Sequence, residues 1–122
     1  QVDAVIISHN HYDHLDYATI IDLATSQPDI IFFVPLGMKQ WFSQGCVGIE
    51  NVVEMDWGDE VVVPGDLGTN SEWPTRPNRA RPPLKIVCVP CQHWCSRTVV
   101  DKNQCLWASW ICKTPSLSYY FG

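Results

Sequence analysis

The sequence predicts a mixed α/β fold with α+β layering, in one domain over residues 1–122. Two observations lead to this class. In the first half of the chain, short apolar runs of strand length alternate with segments of helical periodicity. After residue 83, strand-like runs dominate. A chain of 122 residues is long enough for one modest hydrophobic core.

The first elements are a strand, a loop and a helix. "DAVIIS" (3–8) is an apolar run of strand length, and the polar residues 8–16 follow it as a loop. Asp16 is placed to cap the helix that "YATIIDLATS" (17–26) predicts. Pro28 ends that helix, because proline breaks helical hydrogen bonding.

The next elements are a strand, a short helix and two further strands joined by a turn. "IIFFVP" (30–35) predicts a buried strand, and "LGMKQWFSQ" (36–44) a short helix that Gly45 ends. "NVVEMDW" and "EVVVPG" predict two strands on either side of Gly58 and Asp59. Because Gly-Asp is a turn dipeptide, these two strands are expected to pair as a hairpin.

A proline-rich stretch interrupts the pattern at 66–83 and is interpreted as a loop insertion. Strands resume with "LKIVCVP" (84–90), "QCLWASWICK" (104–113) and "SLSYYFG" (116–122). No internal repeat accompanies them. The insertion therefore lies within the domain rather than between two domains.

The charge argues against nucleic acid as a partner. The net charge is −5, whereas phosphate contacts need a basic surface. The cationic cluster Arg76, Arg79 and Arg81 lies in the proline-rich stretch and is interpreted as a solvated loop. No apolar run reaches the roughly 20 residues that span a bilayer as a helix.

The six cysteines are expected to be free thiols, because several lie inside apolar strand-like runs. One alternative concerns Cys91, His93 and Cys95, whose alternate spacing would put three zinc ligands on one side of an extended segment.

Three of the four histidines lie in "SHNHYDHLD" (8–16), directly after the first strand. His9 and His11 are two residues apart, so an extended loop directs both rings to one side and toward one ion. Asp13 and His14 come after the chain turns and can face a second ion. Imidazole nitrogen and carboxylate oxygen both suit zinc. The segment therefore predicts a metal site.

The same segment resembles the H-x-H-x-D-H signature of the metallo-β-lactamase fold superfamily. With "FVPLGMKQW", "ENVVEMDWGDEVVVPG", "PCQHWCSRT" and "NQCLWASW", the chain is similar to the branch of phospholipases D that hydrolyse N-acyl-phosphatidylethanolamine. The likeness covers most of the chain apart from 66–83. Leu15 and Asp16 stand where glyoxalase-type members have Gly-Gly, and Cys91 stands where a small hydroxyl residue is expected.

The resemblance implies a partial αββα sandwich with a two-zinc site. The first Zn²⁺ would be held by His9, His11 and His93, and the second by Asp13 and His14. Asp13 would also orient the attacking water. The family's bridging aspartate and last histidine are expected beyond Gly122, so residues 1–122 are interpreted as a partial domain that by itself turns over little substrate.

The resemblance also implies a phospholipid substrate, an intracellular location at a membrane surface, and cleavage to N-acylethanolamine and phosphatidic acid. Tyr12 and Trp94 are candidates for substrate contacts, although packing roles stay open for both. A lactonase of the same fold and a non-catalytic zinc-binding module are the alternative functions. Iron or manganese in place of zinc, and a homodimer, also stay open.

Overall fold

The computed structural model describes residues 2–44, 49–65 and 82–122. These residues form two sheets and two helices. The first sheet is parallel, in the order β1 (Ala4–Ile6), β2 (Ile31–Pro35), β3 (Val52–Met55). The second is antiparallel, in the order β4 (Glu60–Val63), β5 (Leu84–Val89), β6 (Ser109–Lys113), β7 (Ser118–Phe121). The helices are α1 (Tyr17–Ser26) and α2 (Lys39–Gln44). The predicted layered α/β class is confirmed.

Strand β2 separates the two halves of the core, because its side chains alternate between the two faces of the sheet. Phe32 and Val34 belong to the cluster that also contains Phe42 of α2. Ile31 and Phe33 belong to the cluster that includes Trp110 of the second sheet. All five residues of β2 are buried. Over the described ranges, the layers are therefore helix, sheet and sheet.

Helix α1 begins where the sequence predicts. The Asp16 carboxylate accepts hydrogen bonds from the backbone N–H and the hydroxyl of Thr19, at 2.8 and 2.7 Å. Both bonds stabilise the charged carboxylate and lower the pKa of Asp16. The helix begins directly after the histidine loop (residues 8–16), so the cap fixes where that loop ends.

The hairpin predicted at Gly58 and Asp59 is wrong, although the turn exists. Asp59 N–H donates to Asp56 O, and Gly58 has a φ of +93°, a conformation that favours glycine. However, β3 pairs with β2 and β4 pairs with β5. The turn therefore passes the chain from one sheet to the other instead of reversing it within one sheet.

Strand β6 begins five residues later than the run "QCLWASWICK" predicts, at Ser109 rather than Gln104. The residues before it belong to the β5–β6 connection (residues 90–108). Gly45, Cys46 and residues 66–81 of the predicted insertion (66–83), with Arg76, Arg79 and Arg81, lie outside the described residues.

The prediction of free thiols is confirmed for the five cysteines in the described part of the chain: Cys88, Cys91, Cys95, Cys105 and Cys112. Cys88 is buried between the sheets, and burial raises the pKa of its thiol to about 12. No helix among the described residues has both the length and the apolar character needed to cross a membrane.

Candidate metal centre

The histidine loop leaves the first sheet and turns at once. Ile7 N–H still donates to Phe33 O across the sheet, at 3.0 Å. The chain then reverses, with His14 N–H and Leu15 N–H both donating to the carbonyl of His11. Leu15 is fully buried in the helix-side core. The loop therefore has a fixed beginning, a tight turn and an apolar anchor, and its histidine rings lie between them.

Three imidazoles from two distant segments meet in space. One nitrogen from each of His9, His11 and His93 lies within 4.8 Å of the others. The ring centroid of His9 is 4.4 Å from that of His11 and 4.1 Å from that of His93. The structure thus brings these three predicted ligands together, although 84 residues separate His9 from His93.

The donor set fits a metal ion. The Nε2 atoms of His9 and His93 lie 2.9 Å apart. His11 Nε2 is buried, and no hydrogen-bond partner for it is found among the described residues. Aligned imidazole nitrogens repel each other unless a proton or a cation lies between them, and an orphaned buried nitrogen is costly. Zinc accepts three imidazoles readily.

The protonation of the site favours ligation. Burial, followed by the neighbouring rings of His14 and His93, lowers the pKa of His9 to about 4. Burial and then His93 also lower the pKa of His11. Both rings are therefore neutral near pH 7, which is the form that binds metal. Ser8 Oγ lies 2.9 Å from His9 Nδ1, so Nδ1–H can donate to it while Nε2 keeps its lone pair.

Asp13 and His14 lie beside this three-histidine group. The His14 ring centroid is 4.2 Å from that of His9, and His14 Nε2 is 3.5 Å from Asp13 Oδ2. The Asp13 side chain is 81 % exposed. The structure therefore places both residues on the open side of the cluster, and their role as ligands of a second ion stays a prediction.

A cavity of about 280 Å³ opens beside the cluster. Its lining includes the imidazoles of His9, His14 and His93 and the aromatic rings of Trp107 and Phe121. Trp107 is held in place because its Nε1–H donates to Cys91 O at 2.9 Å. The lining therefore combines hydrogen-bonding imidazoles with apolar surface.

The thiolate alternative is not what the structure forms. The Cys95 thiol donates to Cys105 O at 2.7 Å and accepts from Cys105 N–H. Cys95 therefore belongs to the interior of the β5–β6 connection, while His93 lies against the other histidines.

The comparison with known protein families matches the whole chain, residues 1–122, to a beta-lactamase superfamily domain. The chain belongs to the beta-lactamase superfamily. Members of this superfamily are generally hydrolases and typically bind metal, as the three-histidine cluster leads one to expect.

Three curated relatives are similar within the superfamily. An uncharacterized protein of Mycobacterium tuberculosis is 36 % identical over 121 residues, 99 % of this chain and 27 % of the relative. N-acyl-phosphatidylethanolamine-hydrolyzing phospholipase D 1 of Caenorhabditis elegans is 31 % identical over 98 % of the chain and 31 % of the relative. The mitochondrial N-acyl-phosphatidylethanolamine-hydrolyzing phospholipase D of Saccharomyces cerevisiae is 31 % identical over 89 % and 20 %. The chain thus spans between a fifth and a third of these relatives.

The two predicted substrate contacts lie at the outer edge of this superfamily site. The Trp94 ring centroid is 4.2 Å from that of His11, and the side chain is 45 % exposed. Tyr12 is 65 % exposed, and the Arg97 guanidinium lies 4.1 Å from its ring centroid. Neither residue lines the cavity beside the histidines. Their contact with substrate stays a prediction.

Sequence reasoning did not single out Arg97, although it holds the histidine loop. Its Nη1 donates to Asn10 O at 3.0 Å and to Leu15 O at 2.7 Å, the two sides of the turn. Its own backbone is fixed because Arg97 N–H donates to the Asp101 carboxylate at 3.0 Å. The family resemblance could have indicated Arg97, because this residue lies in "PCQHWCSRT", one of the stretches that carry the resemblance.

Proposed function

We propose that this chain carries the metal-binding part of a zinc-dependent phosphodiester hydrolase of the phospholipase D type. The substrate class is N-acyl-phosphatidylethanolamine. Water adds across one phosphodiester bond, so that N-acylethanolamine leaves and phosphatidic acid remains. The observation that supports the proposal most directly is the convergence of His9, His11 and His93, in a chain with two relatives named for this activity.

His9, His11 and His93 would hold the first zinc, and Asp13 and His14 a second. Bound zinc supplies a Lewis acid that activates water at neutral pH. The chain's own residues prepare the site for this. Burial keeps the His9 ring neutral, since its pKa is lowered to about 4. Asp13, exposed beside His14, can accept a hydrogen bond from the attacking water and orient it.

The cavity beside the histidines supports a lipid substrate. Its lining combines imidazoles, which can contact a phosphodiester, with the rings of Trp107 and Phe121, which can contact a hydrocarbon segment. The substrate also implies association with a membrane surface inside the cell. One relative, the yeast enzyme, is named mitochondrial, which is in keeping with that location.

Metal analysis and substrate turnover on the full-length protein test the proposal together. We expect bound zinc, release of N-acylethanolamine from N-acyl-phosphatidylethanolamine, and loss of both after treatment with a chelator. Opening of a lactone without phosphodiester cleavage would replace the proposal with a lactonase. Stoichiometric zinc without turnover of either substrate would replace it with a zinc-binding module.

A further inference from the structure

Two aliphatic side chains project from the surface next to the metal centre. Val99 is fully exposed and Val100 is 79 % exposed. They are consecutive, in the segment from Ser96 to Lys102, which we call the valine loop. Isolated apolar residues on a surface need no explanation, but adjacent exposed valines at a loop tip favour an apolar partner.

Hydrogen bonds within the valine loop fix its backbone. The Asp101 carboxylate accepts hydrogen bonds from Ser96 Oγ, Arg97 N–H and Thr98 N–H, at 2.7 to 3.0 Å. Burial opposes the charge of Asp101, but these bonds outweigh it and lower its pKa to about 2. Asn103 N–H donates to Cys95 O at 2.8 Å and closes the base of the loop.

Both cations of the valine loop lie against exposed aromatic rings. Lys102 Nζ lies 5.5 Å from the ring centroid of Trp94, and Arg97 lies over Tyr12. The valine loop carries two cations and one carboxylate, in a chain whose net charge is −5. Exposed aromatic rings and cations beside a small apolar tip are the composition of segments that bind the interface of a membrane with anionic lipids.

The valine loop is continuous with the metal centre. Trp94 contacts His11, and Arg97 donates to the carbonyls of Asn10 and Leu15 in the histidine loop. A surface that receives the valines would therefore lie beside the histidine cluster, where a lipid phosphodiester has to arrive.

We propose that the valine loop docks the protein on a phospholipid bilayer. Val99 and Val100 enter the boundary between headgroups and acyl chains, and Lys102 contacts anionic headgroups. This inference rests on the proposed function, because it assigns the surface from which that substrate reaches the site.

The test uses the full-length protein with both valines changed, Val99→Asp and Val100→Asp. The control is Val62→Asp, which replaces a valine that is 55 % exposed on β4 of the second sheet. Co-sedimentation with phosphatidylcholine vesicles, with and without phosphatidylglycerol, gives binding. Hydrolysis of a monodisperse short-chain phosphodiester gives activity independent of the membrane.

We expect the double variant to lose vesicle binding by about 100-fold, which corresponds to about 2.8 kcal/mol, because neither side chain can then enter the apolar boundary. Its activity on the monodisperse substrate should match that of the wild type, and Val62→Asp should bind vesicles normally. Lys102→Glu should remove the added affinity for phosphatidylglycerol.

Equal vesicle binding by the double variant and the wild type would overturn the proposal, as would a wild type that binds no vesicles. Self-association without lipid that the double substitution abolishes would assign the valine loop to a second copy instead. A wild type that binds vesicles through the valine loop but cleaves no phosphodiester would reject the proposed function and leave the docking surface standing.

Discussion

The histidine loop and the β5–β6 connection form one site but contribute different kinds of residue to it. The histidine loop contributes three of the four rings, and its turn depends on few internal hydrogen bonds. The β5–β6 connection contributes only His93, but it contains Arg97 and Asp101, the residues that fix both loops. The histidine loop thus contains most of the predicted ligands, and the β5–β6 connection contains one ligand and the side chains that fix the backbone of both segments. Substitutions in the two segments should therefore have different effects on metal binding.

The largest effect is expected in the histidine loop. His11→Ala should lower metal content and turnover by more than about 100-fold, because even residues that only support a ligand are worth 10- to 100-fold. The fold should remain, since His11 is outside both core clusters. Metal analysis, activity and circular dichroism of the full-length protein measure these effects, with the exposed Asp22→Asn on α1 as the control. Near-normal zinc stoichiometry in His11→Ala would reject the ligand assignment.

The next effect belongs to the β5–β6 connection. Arg97→Met removes both bonds to the carbonyls of the histidine loop, so zinc affinity should fall about 10- to 100-fold while the ligands are intact. Arg97→Lys can restore one of the two bonds, so its zinc affinity should lie between that of Arg97→Met and that of the wild type. Competition with a chelator gives the affinities, and Lys113→Met on β6 is the matched control. Equal affinity in all four proteins would mean that the histidine loop holds its own shape.

A smaller effect is expected at Ser8, where the histidine loop supports itself. Ser8→Ala removes the hydroxyl beside His9 Nδ1, so the ring loses its orienting partner. Zinc affinity should fall by about tenfold, less than for Arg97→Met. The same competition assay measures it. A larger loss than in Arg97→Met would reverse the division of roles between the two segments.

The smallest effect concerns stability and pH. The folded pKa of Asp101 is about 2, below its ordinary value of 3.8, so its stabilising contribution is complete above about pH 4 and is lost as the pH falls toward 2. Asp101→Asn should lower Tm by a few degrees at pH 7. The difference from the wild type should shrink between pH 4 and pH 2. Thermal unfolding followed over that range checks the sign, and a difference independent of pH would assign the effect to packing.

The same division explains what the sequence could predict. Apolar runs, the Asp16 cap and the histidine spacing are local patterns, and they predict both helices, the first three strands and the ligands of the histidine loop. The assignment of His93 comes from the family resemblance. Pairing between strands depends on the whole core. The dipeptide Gly58-Asp59 therefore predicts the turn correctly, but the predicted pairing of its two flanking strands is wrong.

Contacts between residues far apart in the sequence produce no periodic pattern from which they could be predicted. Arg97 bonds to carbonyls more than 80 residues away, and backbone acceptors have no sequence signature. The late start of β6 has a similar origin. Leu106 N–H donates to Leu36 O, and Trp107 Nε1–H to Cys91 O, so this part of an apolar run serves the loop before the strand begins.

The two sheets are joined at a point that affects the ligands. Trp110, fully buried on β6, donates its Nε1–H to Ile7 O at 3.1 Å, two residues before His9. An indole of the second sheet is thus hydrogen-bonded to the backbone that leads into the first imidazole. A substitution that repacks the core between the two sheets should consequently weaken metal binding, even when all ligands are unchanged.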